Sequence, residues 1–105
     1  MNFHNRYCIE LPQDPKSNLN ICREVHEACY TLIDPTPVSN PSLVVHSQEV
    51  ADLLGFDSEF CSGQEFIDSF SGNSLLDGMV SYASCYGGYQ FGNWAGQLGD
   101  GRAIS

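Results

Sequence analysis

The sequence predicts an α+β chain, short helices first and glycine-rich β segments after, and three observations carry that prediction. Residues 47–55 and 62–72 each combine a helix-capping residue, apolar positions at helical spacing and a terminating glycine. From about Met79 the pattern changes, with Val80, Tyr82 and Cys85 or Tyr86 at strand-like spacing. Six of the ten glycines (Gly87, Gly88, Gly92, Gly96, Gly99 and Gly101) then fall within fifteen residues, interleaved with Tyr89, Phe91 and Trp94. Large aromatics beside glycines point to backbone segments packed closely on each other or on a ligand, whereas a flexible linker is rich in serine and lacks tryptophan.

Each element follows in order. Residues 1–17 carry Pro12 and Pro15 among polar residues with no period and read as an extended lead-in. Asn18 or Asn20 is placed to cap a short helix running to about Cys29, with Ile21, Val25 and Cys29 as its buried stripe. Tyr30 to Ile33 has strand composition, but the prolines of Asp34-Pro35-Thr36-Pro37 remove ladder donors, which makes it an edge strand or a connector. Ser42 to His46 is a β-branched run expected as a strand. Ser47 then offers an N-cap to a helix whose Val50, Ala51, Leu53 and Leu54 face inward before Gly55 closes it. Ser62 and Glu65 spell an S-x-x-E capping box ahead of Phe66, Ile67 and Phe70, with the helix ending at Ser71-Gly72-Asn73. No repeat, low-complexity tract or domain boundary is visible, so residues 1–105 are expected as a single domain whose residues 85–105 are ordered.

Length and charge narrow the function. A chain of 105 residues holds one core at most, and folding removes roughly 65% of its accessible surface from water, which leaves stability thin. Thirteen acidic residues against four basic ones give a formal charge of −9. The cations are Arg6, Lys16, Arg23 and Arg102, so residues 24–101 contain no Lys or Arg. Bulk electrostatics therefore excludes nucleic acid and anionic membrane as partners. A phosphate-bearing small ligand remains open, because backbone N–H groups of a glycine-rich turn hold phosphate with little help from side chains. The first fifteen residues fit neither a secretory nor a transit signal, and no apolar run approaches a membrane span, so the expected location is the cytoplasm.

Five cysteines, an odd number without a CxxC pair, argue against a disulfide framework and a zinc ribbon. On a helix, Cys22, His26 and Cys29 would share a face, as three metal ligands do. Val25 shares that face and no fourth ligand is near, which favours a half-buried stripe without metal. His4, His26 and His46 are scattered, no G-x-S-x-G elbow occurs and no carboxylate pair stands out, so no catalytic residue is assigned.

Phosphate-loop templates fare no better, with one exception. The only lysine, Lys16, is far from any glycine cluster, so the Walker loop fails. The dinucleotide and kinase patterns starting at Gly99 and Gly101 fail where a third glycine is needed and Ile104 stands. What is left is Gly99-Asp100-Gly101-Arg102, where glycines expose N–H groups beside a guanidinium that can pair with phosphate oxygens through two bonds. From spacing alone, a D-G hairpin turn with a solvated Arg102 is the better fit.

The run CYGGYQFGNWAGQLGDGRAIS (Cys85 to Ser105) resembles the N-terminal part of the selenoprotein O family of protein adenylyltransferases. PTPVSNPSLVV (35–45), EVADLLG (49–55) and FSGNSLLDGM (70–79) agree in order, so the resemblance covers about residues 10–105. It implies part of the N-terminal lobe of a protein-kinase-like fold and an enzyme that transfers AMP from ATP to Ser, Thr or Tyr hydroxyls of proteins with Mg²⁺ or Mn²⁺. Gly99, Gly101 and Arg102 are then the nucleotide-binding residues. Tyr89 departs from the family, which usually has His in GGHQFG. The family's phosphate-pairing Lys, catalytic Asp and metal ligands match nothing in these residues. The chain is accordingly expected to be a partial domain, a fragment holding part of the ATP site. A truncated interaction module and a non-functional gene fragment are the alternatives.

Overall fold

The computed structural model describes residues 2–19, 21–98 and 102–104, and for Arg102 the backbone alone. Helices and antiparallel sheets are both present, as the α+β expectation requires. The chain divides into two compact units, Met1–Phe3 with Thr36–Gly78, and His4–Pro35 with Met79–Ser105.

The first unit is helical. The β unit begins with α1 (Arg6–Glu10), and the helical unit then contributes α2 (Gln48–Leu54), α3 (Ser58–Cys61) and α4 (Gln64–Ser71). Ser47 caps α2 as its sequence position suggests, its hydroxyl oxygen accepting from the Val50 N–H at 3.3 Å. Helices α2 and α4 stop on Gly55 and Gly72 at φ of 80° and 83°, left-handed geometry that a residue without Cβ adopts at no steric cost. Ala51, Phe56, Cys61 and Phe66 form the core, with Phe60 and Leu76 packed against it.

Three expectations for this unit fail. The S-x-x-E box does not form, because Asp57 starts a separate turn by accepting from the Phe60 N–H at 2.8 Å. Ser62 becomes the C-cap of α3 and donates its hydroxyl to the Ser58 carbonyl at 2.8 Å, which leaves Gly63 to cap α4 without a side chain. The inward set of α2 reduces to Ala51, since Val50, Leu53 and Leu54 are exposed, Leu53 by 86%. Ser42 to His46 forms no strand. Val44 and Val45 are 92% and 80% exposed there, so the run lacks the burial that rewards a β-branched strand.

The second unit carries the sheets. β1 (Tyr30–Leu32), β2 (Ser81–Ser84) and β5 (Arg102–Ile104) form an antiparallel sheet in the order β1-β2-β5. β1 is thus an edge strand, as its prolines dictate. β3 (Tyr86–Gln90) and β4 (Asn93–Leu98) form a separate hairpin, pairing Gln90 with Asn93 and bulging between Gly87 and Tyr89. Its two-residue turn, Phe91-Gly92, has positive φ at both positions, the twist that suits a tight hairpin. The crowding expected of this aromatic and glycine run is real. A Cβ on Gly87 would lie 2.6 Å from the Trp94 indole, so only glycine fits beneath that ring without moving it.

The other face of the three-stranded sheet is aromatic. Tyr30 and Tyr82 are buried at a centroid distance of 5.7 Å, and Tyr7 of α1 stacks on Tyr82 at 5.0 Å. Helix α1 thus interrupts the expected extended lead-in, while the chain after it docks on β1, with Gln13 bridged in parallel to Tyr30. The Asp14 N–H donates to the Tyr30 carbonyl and the Asn18 N–H to the Leu32 carbonyl, both at 2.8 Å.

The helix expected from Asn18 or Asn20 to Cys29 does not form, so the shared face of Cys22, His26 and Cys29 does not exist. Nine or so residues make a marginal helix by themselves, and here competing partners hold the backbone elsewhere. Asn18 has φ 54° and its side chain accepts from the Asp34 N–H at 2.9 Å. Val25 is bound to Gln97, Glu27 has φ 56°, and the Cys29 N–H donates to the Pro12 carbonyl at 2.8 Å.

Candidate functional site

Gly99 and Gly101 lie outside the described residues. Arg102 opens β5, its backbone opposite Ala83 of β2, and its side chain is not described. The flanking strands have partners of their own. Among the described residues β4 pairs with β3 and β5 with β2.

The same unit holds a groove of about 400 Å³, lined among others by Leu98, Ala83, Arg23, Cys85 and Gln90. Its size falls in the ordinary range for a small-molecule site. Of its lining residues, Leu98 immediately precedes Gly99 in sequence, and Ala83 is the cross-strand neighbour of the Arg102 backbone.

Two polar devices hold this wall, and neither is visible in sequence patterns. The first is centred on Asp14, which is only 3% exposed. Its carboxylate accepts from the Arg23 guanidinium, from the Thr31 hydroxyl at 2.7 Å and from the Lys16 N–H at 3.1 Å. Burial by itself pushes this carboxyl up, but the bonds from Arg23, Thr31 and the Lys16 N–H, with the Arg23 charge, outweigh it and hold the pKa down to about 2. Arg23 also donates to the Lys16 carbonyl at 3.3 Å.

The second device is Gln97, two residues before Gly99. Its Oε1 accepts from the Val25 N–H at 2.8 Å and its Nε2 donates to the Val25 carbonyl at 2.6 Å, so one side chain does the work of a neighbouring strand. Asn73 clamps Val38 in the helical unit the same way, at 2.7 and 2.9 Å. Gln97→Ala removes both bonds and is expected to lower stability by about 1–2 kcal/mol, a typical net value for two hydrogen bonds. Gln97→Glu, which keeps the acceptor and loses the donor, is expected to do no better than halfway. Urea melts compare the three, and an unchanged midpoint for the alanine variant would remove Gln97 from this role.

The sequence signals for these groups were faint. Arg23 stands out only as the last cation before a long uncharged-or-acidic stretch, and Asp14 only as an acid between two prolines. Among the described residues, no group of three or more His, Cys, Asp or Glu side chains is placed to hold a metal ion. No such group marks a place among them for the divalent cation that the resemblance implies. No helix among the described residues is long and apolar enough to cross a membrane.

Comparison with known proteins agrees with the glycine-rich segment. The family model described as protein adenylyltransferase SelO matches residues 17–105. A protein nucleotidyltransferase YdiU from Azoarcus sp. (strain BH72) is 57% identical over 103 residues, covering 98% of this chain and 20% of its own length. The protein of the same name from Aromatoleum aromaticum is 57% identical over 101 residues, covering 96% of this chain and 19% of its own. That from Rhodopirellula baltica is 50% identical over 105 residues, covering 100% and 19%. The chain thus spans about a fifth of the length of these relatives. With the match running through both units and across the segment that joins β4 to β5, the chain belongs to the SelO family of protein adenylyltransferases.

Proposed function

We propose that residues 1–105 are a partial domain, a portion of the N-terminal lobe of a kinase-like protein adenylyltransferase, and that Gly99, Gly101 and Arg102 contact its ATP. The family match over residues 17–105, which includes those three positions, is the observation that carries this reading. In the complete enzyme a Ser, Thr or Tyr hydroxyl oxygen of a protein substrate attacks the α-phosphorus of ATP, the bond to the β-phosphate oxygen breaks, and pyrophosphate leaves. That step requires the polyphosphate to be held still and its charge offset as the bond forms. Backbone N–H groups of Gly99 and Gly101 and the Arg102 guanidinium are suited to the holding. The hydroxyl's base and the Mg²⁺ or Mn²⁺ ligands are supplied by residues outside these 105. Five free cysteines are in keeping with a reducing compartment, the cytoplasm. An interaction module would draw on the exposed Tyr89, Phe91 and Trp94, but the family match does not favour it.

The 105-residue chain is small enough to test this directly by nuclear magnetic resonance. Titration with ATP is expected to give weak, saturable shifts confined to residues 98–103 and the groove beside them. Incubation with labelled ATP, Mg²⁺ and a protein substrate is expected to transfer no AMP. Shifts elsewhere only, or none, would overturn the site, and robust AMP transfer would show that these residues hold catalytic groups of their own.

A further inference from the structure

Cys29 and Cys85 stand one residue beyond the end of the β1–β2 ladder. Tyr30 is opposite Ser84 in that antiparallel pair, so one step outward brings Cys29 opposite Cys85, and the Cys85 N–H donates to the Cys29 carbonyl at 2.8 Å. Directly opposed residues of antiparallel strands send their side chains to the same face. The pair keeps one of the two bonds that a regular hydrogen-bonded pair exchanges, and in the regular pair Cα atoms are about 5.5 Å apart, in the middle of the range of about 4.4–6.8 Å that disulfides span. Both residues are half-buried, within reach of a small reagent, and Cys85 lines the groove beside Leu98. Cys61, by contrast, is fully buried in the helical unit.

We propose that Cys29 and Cys85 are a dithiol that closes reversibly to a cross-strand disulfide in response to low-molecular-weight disulfides such as oxidised glutathione. One protein thiolate attacks a sulfur of the small disulfide, releasing one small thiolate and leaving a mixed disulfide. The second protein thiolate attacks the protein sulfur of that intermediate and expels the other small thiolate. Two electrons pass from the protein to the small disulfide, and the two protons lost by the cysteines end on the released thiols.

The position also dictates that the bond is labile. Cβ atoms of a hydrogen-bonded antiparallel pair are near the upper end of about 4.5–5.5 Å, wider than the roughly 3.8 Å a relaxed disulfide wants. Closing therefore draws the strand ends together, and strained disulfides are the readily reduced ones. The Cys29 N–H is bonded to Pro12 and not to Cys85, so only one ladder bond resists that adjustment. The closed form ties the chain entering β1 to the chain leaving β2, closing a loop that holds residues 30–84 and with them all of Thr36–Gly78. This inference is independent of the nucleotide reading.

The test equilibrates the 105-residue chain in glutathione buffers of increasing oxidised fraction, quenches with acid, and maps peptic peptides by mass spectrometry. The expected result is a loss of two hydrogens, one linkage joining the peptides that contain Cys29 and Cys85, and full reversal by dithiothreitol. Cys29→Ser and Cys85→Ser should each abolish the linkage while circular dichroism stays native. Wild type unfolded in urea, a control that needs no variant, should lose the selectivity among its five thiols. A bridge to Cys22 or Cys61, an intermolecular dimer, or no bridge at any poise would overturn the proposal.

Discussion

Replacing Asp14 with alanine is expected to destabilise the β unit by about 3–5 kcal/mol, the usual consequence of stranding one partner of a buried ion pair. The carboxylate is 3% exposed and satisfies Arg23, Thr31 and the Lys16 N–H together, so its loss leaves three donors without their acceptor in a nearly dry site. For a domain whose whole stability is about 5–15 kcal/mol, that is a large fraction. Asp14→Asn, which preserves shape and removes charge, separates packing from electrostatics. The same carboxylate also sets an acid dependence. Its folded pKa of about 2 is below its unfolded value near 3.9. The stability it contributes is therefore present in full above pH about 5 and is lost as pH falls toward 2. A depression of about two units corresponds to at most about 2.5 kcal/mol. Urea melts of wild type and Asp14→Asn at pH 7, 5, 4 and 3 should show a gap that narrows as pH falls. Because the other carboxylates titrate in both proteins, a gap that stays constant would show that Asp14 is not the titrating group.

Local rules read this chain well wherever one residue decides the outcome. Ser47 and Gly55 bound α2, Gly72 ends α4, the prolines after Leu32 keep β1 at an edge, and the crowding of glycine with aromatic residues appears as Trp94 over Gly87. They misread it wherever two partners compete. Ser62 and Glu65 make a good capping box on paper, but Asp57 captures an N–H first and shifts the frame by a turn. Residues 18–29 have helical spacing, yet contacts up to 72 residues away, Gln97 to Val25, prevail over it. Such long-range terms have no local pattern. The candidate site divides the same way. Glycines and a lone arginine announce the nucleotide segment by type and order, whereas the Asp14–Arg23 pair and the Gln97 clamp become visible only when the chain is folded.

Arg102→Ala is expected to weaken ATP binding roughly ten- to a hundredfold in an enzyme of full family length that carries this segment. Arg102 is the only cation after Arg23, and Arg23 is already committed to Asp14 and the Lys16 carbonyl. No other Lys or Arg of these residues is left near the segment to take over a phosphate. Charge-assisted hydrogen bonds are worth about 1.5–3 kcal/mol each, which sets the range. The substitution is structurally mild, because the backbone of Arg102 pairs with Ala83 in β5 and alanine retains that pairing. Arg102→Lys keeps the charge and loses the planar fork, so it should recover only part of the affinity if two phosphate oxygens are gripped at once, and nearly all of it if the contribution is a diffuse charge. Calorimetric titration with ATP and with adenosine then locates the contact. Loss confined to ATP places the guanidinium at the phosphates, equal loss for both ligands would move it to the nucleoside, and unchanged affinity for ATP would remove Arg102 from the site.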